Sequence, residues 1–126
     1  MSWAFGRLLG MRATSVADGQ AQFALDVRPD LLNPHGVLHG GVLYSLADTA
    51  MGAALHSRLE PGEQGTTLEI KMQYLAPVTG GAVVAEATLV QRTRRTAVLE
   101  ARVRAGGDRT VALATGTFYI RSVRSE

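Results

Sequence analysis

The sequence predicts an α+β fold in which a six-stranded antiparallel sheet curls around one long central helix. Three observations predict it. The stretch from Gly40 to His56 is rich in Ala, Leu and Met and free of Pro, and it has the length of a single helix. Six other runs alternate or stay apolar over strand lengths, with Gly, Pro and Asp between them. The links between the last four runs are short, which favours antiparallel pairing. At 126 residues the chain is read as one domain over 1–126, without repeats or a linker.

The elements follow in order. Trp3 to Leu9 reads as a short amphipathic helix, within an N-terminal segment of about 2–10. Met11 to Val16 is a weakly patterned strand. Ala21 to Val27 alternates, with Phe23, Leu25 and Val27 on one face, and Asp18-Gly19 between the two strands is a hairpin signal. Pro29 ends this strand, and Asp30 to Asn33 reads as one helical turn. After the central helix, Pro61-Gly62 closes its exit loop. Thr66 to Leu75 alternates, with Leu68, Ile70, Met72 and Tyr74 facing one way and Thr67, Glu69, Lys71 and Gln73 the other. This run directly follows the helix, while the last three strands can pair among themselves, so it is expected at an edge. Ala82 to Val90 is an apolar run expected at the sheet centre. Thr96 to Arg104 and Arg109 to Ile120 complete the sheet, and a polar tail covers about 121–126.

Within the helix, ten of the fourteen residues from Val42 to Leu55 are Val, Leu, Tyr, Ala or Met. The exceptions, Ser45, Asp48, Thr49 and Gly52, fall at i, i+3, i+4 and i+7 and make one narrow stripe. So apolar a helix is expected to be wrapped by the rest of the protein. Asp48 lies two turns in, so it is neither an N-cap nor a partner of the first-turn dipole. A carboxylate there needs a partner or a use. Before the helix stands His39-Gly40-Gly41. The start of a buried helix carries unpaired N–H groups and the positive end of the dipole, which suits a developing oxyanion. An oxyanion site and a carboxylate on one short element are the two parts needed to hydrolyse an acyl bond. A structural salt bridge is the competing reading of Asp48.

Composition narrows the remaining classes. With no cysteine there is no disulfide, thiolate metal site or Cys nucleophile, which fits a cytoplasmic protein. No apolar run reaches the ~18 residues of a membrane span. Net charge is +2, but six arginines crowd Arg92 to Arg109 against Glu100 and Asp108. That excess attracts phosphates. No nucleic-acid motif accompanies it, so neither nucleic acid nor membrane is expected as a partner. His35 and His39 are four apart, but Pro34 and Gly36 oppose the helical geometry a metal pair would need, so no metal is expected. His56 reads as a favourable charge at the helix C-terminus.

Asn33 stands seven residues before Gly40, and Asp48 eight after it. With the HGG and this order of elements, the chain from about Leu8 to Ile120 resembles the PaaI-like branch of the hotdog-fold acyl-CoA thioesterases. That resemblance implies a six-stranded sheet around one helix, an acyl-CoA substrate and no cofactor. It also implies roles. Gly40 would give its N–H to the thioester carbonyl, beside Gly41, and His39 would shape the loop. Asn33 would hold the thioester or the attacking water. Asp48 would act as general base or as nucleophile, and Thr67 or Thr66 would position the water. Arg94 and Arg95 resemble a basic turn near the CoA phosphates, though a solvated charged hairpin is an equal reading. The catalyst is implied to be at least a homodimer, with a homotetramer expected, because Asp and hydroxyl come from one subunit and Asn and Gly from its neighbour. The acyl group is expected to be of the aryl-acetyl or hydroxyphenylacetyl type. Two other functions compete. A hotdog enoyl-CoA hydratase or dehydratase would use a His with a carboxylate, and Asp30 near His35 is its only candidate. A non-catalytic acyl-CoA-binding module would keep Arg94 but not need Asp48.

Overall fold

A computed structural model describes residues 3–123. The chain runs α1 (Ala4–Leu9), β1 (Arg12–Ala17), β2 (Gln20–Asp26), a 3-10 turn (Pro29–Leu31), α2 (Gly40–His56), β3 (Glu63–Tyr74), β4 (Ala82–Arg92), β5 (Thr96–Ala105) and β6 (Arg109–Ser122). The strands form one antiparallel sheet in the order β1-β2-β4-β5-β6-β3. The fold is α+β, with one long helix laid across a six-stranded sheet, and the bounds of α2 are those the sequence predicts. The apolar run that forms β4 is central, between β2 and β5, and β3 is an edge strand paired only with β6.

The core is the layer between α2 and the sheet. Leu46, Ala47, Ala50, Met51 and Ala54 of α2 expose no surface, and neither do Leu25, Val83, Ala85, Leu99 and Val103 on the strands facing them. Small residues bring the two layers close. A Cβ on Gly65 of β3 would sit 2.6 Å from Leu55 Cδ2, and one on Gly116 of β6 would sit 3.2 Å from Met51. Neither glycine has a positive φ, so their use here is space rather than conformation.

Several expectations are corrected. The helix is not wrapped all round: the sheet covers one side, and Tyr44, Ser45, Asp48, Thr49 and Gly52 remain wholly or partly exposed. Eight of the ten apolar residues from Val42 to Leu55 are nonetheless buried, so most of what stays open is Tyr44 and the polar stripe. The helical turn expected over Asp30 to Asn33 is a 3-10 turn at Pro29–Leu31, because Pro sets the φ of a first helical residue. Asn33 instead closes a loop. Strand β6 runs on to Ser122, two residues into the expected tail, because β3 begins at Glu63 and pairs with it there. Residues 1–2 and 124–126 of the expected termini lie outside those described. The alternation in β3 breaks: the register with β6 shifts between Thr67 and Glu69, so Leu68 occupies a bulge and is 60% exposed. No helix among the described residues is long and apolar enough to cross a membrane.

One ion pair fastens the β4–β5 hairpin to the end of β3. Arg92 Nη2 donates to both oxygens of Glu63, at 2.9 and 3.1 Å, and Arg92 Nη1 donates to the Arg58 carbonyl at 3.3 Å. Glu63 also accepts from the Glu60 N–H at 2.9 Å. The Arg92 hydrogen bonds, and then that N–H, hold the Glu63 carboxyl below its ordinary 4.5. A carboxyl with a lowered folded value stabilises the fold above its unfolded value, and that contribution fades as pH falls through the folded one. Thermal melts should therefore show wild type losing more stability between neutral pH and pH below about 4 than Glu63→Gln does. Parallel losses would mean the pair contributes nothing.

Candidate active site

The site grows from how α2 begins. His39 is the N-cap, and its Nδ1 accepts the Gly41 N–H at 2.8 Å. The ring proton therefore sits on Nε2. The His39 carbonyl takes the Val42 N–H at 2.9 Å. Of the first three helical N–H groups, two are thus consumed by His39. Among the described residues nothing accepts the third, that of Gly40. The helix therefore presents one unclaimed donor at its positive end. Gly41, expected beside it as a substrate contact, has its N–H committed to the cap and can offer a ligand only its Cα surface.

Asn33 shapes the loop that delivers this turn. Its Oδ1 accepts the His35 N–H at 2.8 Å and the Val37 N–H at 3.3 Å. The side-chain oxygen is thus spent within the loop, and only the NH₂ end is left to face a substrate.

Two turns further along α2, Asp48 Oδ1 accepts a 2.8 Å hydrogen bond from Thr67 Oγ1. The β3 bulge decides between the two threonines. Thr67 pairs with Phe118, whose side chain is buried beneath the helix, so Thr67 points inward. Thr66 pairs with Tyr119, one residue on, and points to the opposite face. Plain alternation put Thr67 outside with Glu69, Lys71 and Gln73. The extra residue at Leu68 lets Thr67 share the inner face with Ile70 and Met72.

Tyr74 went unremarked in the sequence beyond its place on the inner face of β3. Its hydroxyl donates to the Gly40 carbonyl at 2.8 Å, and a Cβ on Gly40 would lie 3.1–3.3 Å from its ring. Burial raises the Tyr74 phenol pKa, with a smaller electrostatic contribution from Tyr44, so it remains a donor at neutral pH. Only the glycine signals it: a residue without a Cβ often marks close approach by something else.

Arg94 and Arg95 lie in the hairpin between β4 and β5 and are exposed. Arg95 Nη1 reaches Tyr119 Oη at 3.4 Å, and Arg94 has no partner among the described residues. Thr96 pairs with Tyr119, which pairs with Thr66, so the hairpin is at the Thr67 end of the sheet. Gly40 is held at the other end by Tyr74, which pairs with Ala112. Asp48 and Gly40 stand eight residues apart on α2, about 12 Å along its axis. The chain thus places Asp48, at the middle of α2, with Thr67 towards the arginine hairpin, and Gly40, His39 and Tyr74 at the start of the helix.

A family model for the thioesterase superfamily matches residues 35–112, a segment that contains the HGG turn, α2 and Asp48. This chain belongs to the thioesterase superfamily, whose fold is the hotdog. It is 31% identical to the acyl-coenzyme A thioesterase PaaI of Escherichia coli over 114 residues, covering 90% of this chain and 79% of that one. It is 29% identical to the 1,4-dihydroxy-2-naphthoyl-CoA hydrolase of Listeria monocytogenes over 116 residues, covering 92% and 94%. Among solved structures, a conserved protein from Pseudomonas aeruginosa superposes with a TM-score of 0.92 at 40% identity over 96% of each chain.

Thr67→Val keeps the shape of the side chain but removes the hydroxyl from Asp48, whereas Thr67→Ser keeps the hydroxyl. Thioester turnover should fall about tenfold or more in the Val variant and stay near wild type in the Ser variant. Equal rates in the two would mean the Thr67–Asp48 bond is structural.

Proposed function

We propose that this protein hydrolyses an acyl-CoA thioester to the free acid and CoA, in a site shared by two protomers. The observation that carries the reading is the 2.8 Å Thr67–Asp48 bond on a helix whose first N–H, that of Gly40, is unclaimed. The acyl-CoA hydrolases named among its relatives support the substrate class.

The chemistry follows from what each group offers. The thioester oxygen lies on the Gly40 N–H at the positive end of the helix, where charge develops as the carbonyl is attacked. Asp48 takes a proton from water as the water oxygen bonds to the carbonyl carbon. Thr67 donates a hydrogen bond to Asp48 and still has lone pairs to accept one from that water, so the two hold it together. Collapse of the tetrahedral intermediate breaks the C–S bond, and the CoA sulfur leaves with the proton that Asp48 returns, which restores the carboxylate. Asn33 offers its NH₂ to the thioester or to the water, and His39 fixes the turn. Tyr74 is a positioning residue: it holds the Gly40 carbonyl, and so the peptide that follows the Gly40 N–H. Arg94 and Arg95 suit the CoA phosphates.

About 12 Å of helix separates Gly40 from Asp48 within one protomer, too far for both to act on one carbonyl. A second copy resolves this. Strand β3 is twelve residues long and lies at the sheet edge beside the open stripe of α2. Such an edge invites antiparallel pairing with its own copy about a two-fold axis. The partner's Gly40, Asn33 and Tyr74 then come to this protomer's Asp48 and Thr67. A dimer is the minimum, and a tetramer is a pair of such dimers.

Two measurements test this reading. Asp48→Ala should stay folded and lower kcat in a CoA-release assay by at least ~100-fold. Asn33→Asp keeps the oxygen that closes the loop but loses the NH₂ donor, so it should also be inactive. Mixing the two inactive chains should restore about a quarter of wild-type activity, since half the dimers are mixed and each has one intact site. A mixture that stays dead after confirmed subunit exchange removes the shared site, and wild-type turnover by folded Asp48→Ala removes the mechanism. Separately, Arg94→Ala with Arg95→Ala should raise KM for acyl-CoA at nearly constant kcat and leave an acyl-pantetheine unaffected, because distant phosphate contacts bind ground and transition states alike. Equal losses on both substrates would place the CoA contact elsewhere.

A further inference from the structure

Strand β3 carries two opposite charges that its own protomer does not use. Glu69 and Lys71 are exposed and stand two residues apart on the face turned away from α2. Among the described residues neither has an ion-pair partner. Both lie just past the bulge, on the unpaired edge of the sheet. We propose that these two charges set the register in which two copies of β3 meet: Ile70 lies on the two-fold axis, and Glu69 of each copy pairs with the partner's Lys71. The inference rests on the shared-site reading and deepens it by naming the residues that align the copies.

The pleat limits the choices. Ile70 and Met72 stand opposite Gly116 and Ala114 of β6, which are buried beneath the helix, whereas Glu69 and Lys71 stand opposite Thr117 and Thr115. Residues directly opposite in an antiparallel pair face the same side. An axis between Ile70 and either neighbour would set an inner apolar residue against an outer charge, so the pleat excludes it. An axis at Lys71 opposes two ammonium groups, and one at Glu69 opposes two carboxylates. An axis between Leu68 and Glu69 keeps the faces matched, but it sets bulge against bulge and leaves Lys71 opposite the partner's Thr66. An axis at Met72 pairs only 70–74 of a strand that begins at Glu63. An axis at Ile70 keeps the faces matched and opposes unlike charges twice, once on each side of the axis.

The same register serves the site. With Leu68 left out of the ladder, as it is against β6, Thr67 comes opposite the partner's Met72. The next inward residue on that strand, the partner's Tyr74, is about 7 Å further along. Within each protomer Tyr74 holds the Gly40 carbonyl at 2.8 Å, and Thr67 holds Asp48 at 2.8 Å. The register therefore sets the Asp48 end of one helix against the Gly40 turn of the other. With the axis between Leu68 and Glu69, the partner's Tyr74 would lie about 13 Å from Thr67 along the strand.

The charges act on alignment more than on strength. A cross-strand pair of opposite charges contributes little alone, and like charges directly opposite cost a similar amount. Backbone hydrogen bonds are nearly the same after a slip of the ladder, so they leave the register undecided. Attraction in one register and repulsion in its neighbours then selects between them.

The chain has no cysteine, so single substitutions read the register. Cys at position 70 would have its copy's Cα about 4.5–5.5 Å away, within reach of a disulfide. On oxidation Ile70→Cys should become a covalent dimer on a non-reducing gel. Glu69→Cys alone and Lys71→Cys alone should not, because each lies about 8 Å from its own copy, yet a mixture of the two should form the mixed dimer. Sedimentation at low salt gives a second readout. Glu69→Lys or Lys71→Glu should each weaken dimerisation several-fold, and both changes in one chain should return it to near wild type. A dimer that cross-links through Glu69→Cys alone, through Lys71→Cys alone or through none of these overturns the register while leaving a shared site standing. A double reversal as weak as the single changes overturns the role of the charges. A wild type that hydrolyses acyl-CoA as a monomer overturns the shared-site reading itself.

Discussion

The rotation of α2 about its own axis is the constraint on which the rest depends. Five of its side chains, at 46, 47, 50, 51 and 54, are completely buried against the sheet. Burying Leu46 and Met51 alone is worth roughly 1.5–3 kcal/mol each. Turning the helix by one residue, about 100°, would expose part of that face and drive Asp48 towards an apolar layer where its charge is costly. Alanines at 47, 50 and 54 and glycines at 65 and 116 let the layers approach closely, so the helix is locked by shape as well as by apolarity. Everything chemical follows from this: the stripe must face away from the sheet, and the first turn must present its donors at one end.

Much of the fold was legible because these forces are periodic. The bounds of α2, the central place of β4 and the edge place of β3 all follow from apolar spacing, chain order and short links. The candidate site was legible in part. Asn33, His39, Gly40 and Asp48 stand at informative spacings, yet their division of labour does not show in spacing. Three features were hidden, each for a physical reason. The β3 bulge is one extra residue in an otherwise regular alternation, and periodicity alone assigns Thr67 to the wrong face. The capping bond from Gly41 to His39 Nδ1 depends on a side-chain rotamer, so two adjacent glycines look equivalent until one N–H is taken. Tyr74 meets Gly40 from a strand thirty-four residues away, a contact that no local pattern encodes.

The bulge and the cap have a common effect, which is to leave one group of each kind unspent. Without the bulge Thr67 would face solvent and Asp48 would sit on a half-buried stripe with no donor. Without the cap two N–H groups would compete for one carbonyl, and the turn would be free to rearrange. Asn33 follows the same logic: its oxygen holds the loop and its nitrogen remains. Irregularity in an otherwise regular fold is where function is often found, because the interiors of regular elements spend their backbone groups on each other.

The open stripe and the unpaired β3 edge are two symptoms of one incompleteness. The helix leaves Tyr44 and the stripe of Ser45, Asp48, Thr49 and Gly52 wholly or partly open, and an edge strand of twelve residues is long for one left unprotected. Both features lie on the same side of the protomer, since Thr67 of β3 bonds directly to Asp48 of the stripe. A two-fold axis beside them would cover both at once and set the Asp48 end of one copy against the Gly40 end of the other. The thioester would then cross the junction, with the arginine hairpin of one copy on its CoA side. Each chain holds both groups, but about 12 Å apart along one helix, so in such a dimer assembly and catalysis would be the same event.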